Sequence, residues 1–204
     1  MQVQKDNVRK SILEIAEKEF LKKGFKAVSM RHIAAEADVS LSNIYNYFEN
    51  KNEILKEVLF PLINAIENIM QEHNKSEYID IDVFYSDKYL QYHVRLFSEL
   101  IITYKKELNL LLFKAQGSCY ENFKEEYTNR HTKMGYDYMA KMKEKYPSIN
   151  IKVSDFFIHT MSSAWISIIG EVVAHDLPRD EMEKFFTDYV VFSTAGWKKI
   201  MQVQ

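Results

Sequence analysis

Between positions 29 and 51 the sequence gathers side chains suited to gripping a long polyanion and reading polar edges along it. Leu41, Ser42, Asn43 and Asn46 fall on one side of a short segment backed by apolar residues. An asparagine amide can bond an adenine edge bidentately, while short polar or apolar groups touch other base edges or thymine methyls. Ser29, Arg31, Ser40, Tyr45, Tyr47 and Lys51 surround that face with hydroxyl and cationic donors of the kind that hold phosphates. Lys51 falls in the first turn of a helix, where free backbone N–H groups already favour anions. Taken singly, Arg31, Asn43 and Asn46 are ordinary residues of a solvated helix face, and only their joint spacing points to a nucleic-acid surface.

Those side chains need helices to carry them. Apolar Val8, Ile12, Ile15, Ala16 and Phe20 recur at spacings of three and four, which predicts a first helix that Gly24 closes. Ser29 is placed to cap a second helix over 30–37 and Ser40 a third over 41–48. Ile33, Ala34 and Ala37 face inward, Val39 plugs the corner, and Ile44 and Phe48 pack the third helix, with the small alanines allowing a close crossing. Asn50 with Glu53 has the form of a capping box opening a long fourth helix, in which Pro61 removes one backbone bond. A charged connection over 74–87 follows. Further helical patterns run over 88–104, 108–116 and 120–146, then from a cap at Ser154 to about 175, and finally to about 201 with Pro178 in the first turn. The expected class is all-α with about nine helices, divided into 1–50 and 51–204.

The set Gly24-Phe25, Ser29, Ile33-Ala34, Ala37-Asp38-Val39-Ser40, Tyr45-Asn46-Tyr47-Phe48 and Lys51 strongly resembles the DNA-binding domain of the tetracycline-repressor (TetR) family. Two departures stand out. Asp38 replaces the usual turn glycine, a substitution that aspartate tolerates because it can adopt the left-handed conformation. Leu41-Ser42-Asn43 replaces a stretch that more often contains Lys, Gly and Thr. The resemblance implies a homodimer that binds double-stranded operator DNA through a helix-turn-helix. It also implies a larger effector-binding and dimerisation domain in helices four to nine, with the last two helices pairing across a two-fold axis. The expected activity is that of a transcriptional regulator, a repressor released from its operator by a small, largely apolar or aromatic effector.

The downstream helices fit that expectation on their own terms. The pattern beginning at Ser154 is apolar nearly all round, and the final one adds further aromatics, more than one small subunit readily buries. Trp165, Ile169, Val172, Val173, Phe185, Tyr189, Ser193 and Trp197 are the expected dimer contacts. Helices five to eight are dense in aromatic and sulfur side chains interspersed with polar groups, among them Tyr89, Tyr92, His93, His131, Met134 and Tyr138. The expected effector contacts are Phe97, Tyr104, Phe113, Gln116, Tyr120, Phe123, Tyr127, His159, Met161, Ser162 and Trp165. Aromatic residues at helical spacing are also the usual stuff of a core.

Composition narrows the alternatives. Hydrophobic residues make up 47% of the 204 positions and only five Gly and three Pro are present, which excludes a disordered chain and favours long helices. The net charge of −2 argues against nonspecific polyanion binding by bulk charge. Nine basic and seven acidic residues within 1–51 give +2, and the other eighteen basic and twenty-two acidic residues give −4. One cysteine, Cys119, allows no internal disulfide, in keeping with a cytoplasmic location. The N-terminus lacks the apolar core of a signal peptide, and no later apolar run is expected to span a membrane. A helical di-metal enzyme would need paired Glu-x-x-His motifs, which are missing, as are a His-Glu-x-x-His site and a glycine-rich phosphate loop. Neither metal nor cofactor is therefore expected. A protein-binding helical adaptor would account for the amphipathic helices but not for the 29–51 pattern. The tetrapeptide Met-Gln-Val-Gln occurs at both ends without further similarity around it.

Overall fold

The computed structural model describes residues 2–73, 75 and 78–203. Its helices are α1 (Gln2–Lys23), α2 (Met30–Glu36), α3 (Leu41–Ile44), α4 (Lys51–His73), α5 (Asp87–Thr103), α6 (Lys105–Asn109), α7 (Phe123–Lys145), α8 (Asp155–His175) and α9 (Arg179–Ile200). A 3-10 turn, Ile81–Phe84, precedes α5, and a single π-type turn, Leu110–Lys114, follows α6. The all-α class and the number of helices agree with the reading of the sequence, and no strand occurs among the described residues.

The chain divides into two compact units. The first comprises the residues up to Asn64 together with Lys106–Phe123, and the second comprises Ala65–Lys105 with Lys124–Gln204. In the first, Ile12, Ala16 and Phe20 form the buried stripe of α1 at intervals of four. The helix stops at Gly24, whose φ of +80° suits a residue without a Cβ and whose N–H closes on the Phe20 carbonyl at 2.8 Å. Phe25 then turns back, its ring 5.3 Å from that of Phe20. Ile54, Leu55, Leu59 and Leu62 of α4 are fully buried, which is why the first half of α4 belongs to this unit rather than to one beginning at residue 51.

The stretch 106–123 is the larger difference from the sequence reading. The single helix expected over 108–116 is instead α6 and the π-type turn, and these bury Leu108, Leu110 and Leu111 in the first unit. The Phe25 N–H donates to the Lys114 carbonyl at 2.8 Å, fixing the segment beside the end of α1. Similarly, α3 ends at Ile44 rather than at 48. The following N–H groups of Asn46 and Tyr47 bond three residues back, at 3.0 and 3.1 Å, tightening the chain out of α geometry.

In the second unit α5 packs along α9, and α8 with nearly all of α7 belongs to the same unit. Met139 and Met142 of α7, Ile149 and Ile158 form a core closed by Met201 and Val203, so the second Met-Gln-Val-Gln has a packing role that its repetition did not suggest. The Asn150 N–H donates to the Met201 carbonyl at 2.8 Å and holds that end in place. Ser154 precedes α8 without a side-chain capping bond, and Asp176 ends the helix at a φ of 54°. Contrary to the expectation from sequence, α8 is long and apolar enough to cross a membrane by length and composition. Its apolarity serves packing, since Ile158, Ile166, Ile169, Val172 and Val173 are buried inside the unit.

Candidate nucleic-acid interface and ligand cavity

The helix-turn-helix is built by its caps. Ser29 accepts from the His32 N–H and Ser40 from the Asn43 N–H, each at 3.1 Å, satisfying donors that a helix start leaves open. Between the two helices Asp38 takes a φ of 52°, the left-handed conformation expected of it in place of glycine, and the Val39 N–H reaches back to the Ala34 carbonyl at 3.0 Å. Ile33, Ala34, Ile44 and Phe48 are buried beneath, while Ala37 and Val39 are half-buried at the rim of the corner.

The opposite side carries the expected reading face. Ser42, Tyr45 and Asn46 are exposed, and Leu41, Asn43 and Tyr47 are half-buried. The Asn46 amide nitrogen donates to the Asn43 side-chain oxygen across one turn at 3.4 Å, and the Ser40 and Ser42 hydroxyls lie 3.0 Å apart. These bonds hold the two asparagines side by side without removing their outer edges from solvent. Arg31 is exposed at the start of α2 beside the Ser29 cap.

Lys51 is used differently from the phosphate anchor that the sequence suggested. Its ammonium donates to the Phe25 and Val28 carbonyls at 2.6 and 2.5 Å and lies 4.0 Å from the centre of the Phe25 ring. Burial lowers its pKa. Two of its three donors are thus committed to the turn between α1 and α2. Glu19 and His32, by contrast, gave no such signal in the sequence. His32 Nε2 and Lys23 Nζ converge on one buried oxygen of Glu19, at 2.6 and 2.8 Å, tying α2 to α1. Hydrogen bonds from Lys23 and His32 pull the Glu19 pKa down to about 2. The only trace in the sequence is a carboxylate beside Phe20 on the inward side of α1.

The second unit contains a partly open cavity of about 270 Å³. Of the expected effector contacts, Phe97, Tyr127, Met161, Ser162 and Trp165 line it. Phe113, Gln116, Tyr120 and Phe123 do not, because the segment 106–123 is absorbed into the first unit. Tyr104 lies just beyond the end of α5, and His159 points outward from α8, so neither reaches the cavity. Their places are taken by Tyr78, Tyr89, Tyr92, His93, His131 and Tyr138. Tyr189, Ser193 and Trp197, expected at a dimer contact, also line it. Trp165 stacks on Tyr189 at 5.2 Å and meets Phe97 at 4.6 Å.

The histidines and phenols in this cavity are held uncharged. His131 stacks on Tyr127 at 5.6 Å with Nδ1 3.0 Å from the Ser162 hydroxyl, and burial pushes its pKa down to about 4. His93 donates from Nδ1 to the Tyr89 carbonyl at 2.9 Å, and burial lowers its pKa as well. The Tyr89 and Tyr127 phenols are pushed up to about 12 by burial, so they remain neutral hydroxyls. Apart from Glu72, the lining is therefore an aromatic surface with a few neutral hydrogen-bonding groups.

The expected dimer contacts fare unevenly. Ile169, Val172 and Val173 are buried within the subunit's own core, and Phe185 is half-buried against Phe186 at 5.3 Å. The large apolar side chains of α8 and α9 that are most exposed are Phe156, Val191 and Phe192, at 77%, 53% and 74%.

Residues 12–58 match the model of the family of bacterial regulatory proteins, tetR family, a span that contains α2, α3 and the turn between them. The uncharacterized HTH-type transcriptional regulator YhgD of Bacillus subtilis is 36% identical over 64 residues, and the aligned stretch covers 31% of this chain and 34% of that protein. A TetR-like transcriptional regulator from Rhodococcus sp. RHA1 shares the fold at a TM-score of 0.61 and 14% identity, covering 93% of this chain and 96% of its own. NalD of Pseudomonas aeruginosa, the secondary repressor of the MexAB-OprM multidrug efflux pump, does so at a TM-score of 0.58 and 18% identity, covering 91% and 94%. The match to the tetR family of bacterial regulatory proteins thus rests on residues 12–58, which hold the capped helix pair, and over the rest of its length the chain shares the fold of these solved structures.

Proposed function

We propose that this protein is a cytoplasmic, homodimeric transcriptional repressor that binds operator DNA through α2 and α3 and is released by a small, largely apolar or aromatic effector held in the cavity of the second unit. The observation that carries the reading is the α2–α3 pair itself, with two serine caps and an aspartate corner, presenting Ser42, Asn43, Tyr45 and Asn46 on one face. A helix with that face suits the major groove, where Asn43 and Asn46 read bases. Ser29, Arg31, Ser40, Tyr45 and Tyr47 hold the backbone, and Leu41 and Ser42 contact base edges or thymine methyls. Lys51 supports this surface from behind. The enzyme and adaptor alternatives explain none of this spacing.

Dimerisation is assigned to the outer faces of α8 and α9. Exposed Phe156, Val191 and Phe192 supply apolar area there, and Ser167, Ala195 and Gly196 allow close helix approach. A two-fold dimer then reads an imperfect palindrome whose half-sites lie about one helical turn apart, ~34–36 Å, or a multiple of it. The α4 helix is one continuous element that contributes residues to both units, which gives an effector a mechanical route to the recognition helices. Gel-shift titration against the DNA flanking the protein's own gene tests the reading. A salt-dependent, sequence-selective shift at nanomolar protein supports it, and equal affinity for scrambled DNA overturns it.

A further inference from the structure

The charge pattern of the cavity points to the class of ligand that it takes. Among the described residues that line it, Glu72 carries the one carboxylate, and no lysine or arginine is present. The Tyr92 hydroxyl donates to Glu72 at 2.9 Å, which holds that ring beside the carboxylate. Tyr78 lies next to it, its ring 6.2 Å from those of both Tyr92 and Tyr89. One end of the cavity is thus an aromatic wall with a negative charge at its edge. Lys75 pairs with the other Glu72 oxygen at 3.0 Å, but both side chains are well exposed there, and a pair in water of this kind is readily exchanged.

We propose that the cavity selects an organic cation, a quaternary or protonated amine on an apolar or aromatic body, with Glu72 as its counter-charge and Tyr78, Tyr89 and Tyr92 as the wall it lies against. The assignment rests on the effector reading above and narrows it. A cation is attracted to the negative face of a tyrosine ring, and more strongly where water is excluded. A carboxylate or sulfonate in the same place finds no cation among the lining residues and is repelled by Glu72. The buried phenols and histidines stay neutral at physiological pH and add no positive charge to offset that penalty.

The chain has two tryptophans, Trp165 and Trp197, and both line the cavity, so intrinsic fluorescence reports its occupancy directly. Three probes of matched shape separate charge from size: phenyltrimethylammonium, neutral tert-butylbenzene and anionic benzenesulfonate, each titrated into the full-length protein at constant ionic strength. The expected order of affinity is cation, neutral, anion, with at least about a tenfold gap between the first and last. Glu72→Gln keeps the size and the acceptor for Tyr92. It is expected to reduce the cation's affinity to that of the neutral probe while leaving the melting temperature and the neutral probe's affinity unchanged. Sulfonate binding as tight as that of the ammonium, or an unchanged ammonium affinity in Glu72→Gln, overturns the proposal while leaving the cavity an effector site. Failure of all three probes to perturb the fluorescence overturns the effector reading itself.

Discussion

At the scale of single residues, Asn43 and Asn46 are bonded to each other yet open on their outer edges, and the proposed function makes them readers of the operator rather than supports of the fold. Asn43→Ala and Asn46→Ala should leave thermal stability nearly unchanged and alter which operator variants are preferred. A lost bidentate contact should cost about 1–3 kcal/mol, as checked by binding to a set of singly substituted operators. Glu19 belongs to the opposite category. Its pKa is depressed from 4.5 to about 2 in the folded protein, so its contribution to stability is present above about pH 4.5 and is lost as the pH falls towards 2. Glu19→Gln should lower the melting temperature at neutral pH and show a weaker loss of stability than the wild type between pH 4.5 and 2, measured by circular dichroism across that range.

At the scale of elements, the turn between α1 and α2 depends on a residue that lies far from it in sequence. Lys51, at the start of α4, satisfies the Phe25 and Val28 carbonyls. Lys51→Met retains much of the stem and removes the donors, leaving two partly buried acceptors without this partner. The expected cost is roughly 1–3 kcal/mol, seen as a fall of several degrees in melting temperature. The salt dependence of DNA binding gives a second readout. A residue holding a phosphate would reduce the slope by about one when removed, whereas the internal role of Lys51 leaves the slope as it is in the wild type.

At the scale of the whole molecule, the buried and exposed residues of α8 and α9 have opposite consequences. Phe192→Glu places a charge on an exposed site and should yield a folded monomer that has lost specific operator binding, measured by light scattering and gel shift. Ile169→Glu instead places a charge in the subunit core and should unfold the second unit, with an early loss of helical signal on heating. Linkage adds a condition on any effector. One that weakens operator binding by a given factor must itself bind the DNA complex more weakly by the same factor.

The sequence by itself determined α1, α2, the start of α3 and the surface that these carry. Caps, apolar spacing and a residue tolerant of positive φ act over a few positions, so Ser29, Ser40, Asp38 and Gly24 could be read locally, and with them the face bearing Asn43 and Asn46. Helical periodicity also marks which helices are rich in aromatics, but it does not say what each faces, because packing is decided between distant segments. Tertiary structure decided that Leu108, Leu110 and Leu111 join the first unit, which removed Phe113, Gln116, Tyr120 and Phe123 from the cavity. It turned Tyr189, Ser193 and Trp197 inward and left Val191 and Phe192 outside, a choice that depends on how α9 is rotated against α5. It likewise gave Lys51 two backbone carbonyls as partners, since the residues supplying them are 26 and 23 positions away along the chain.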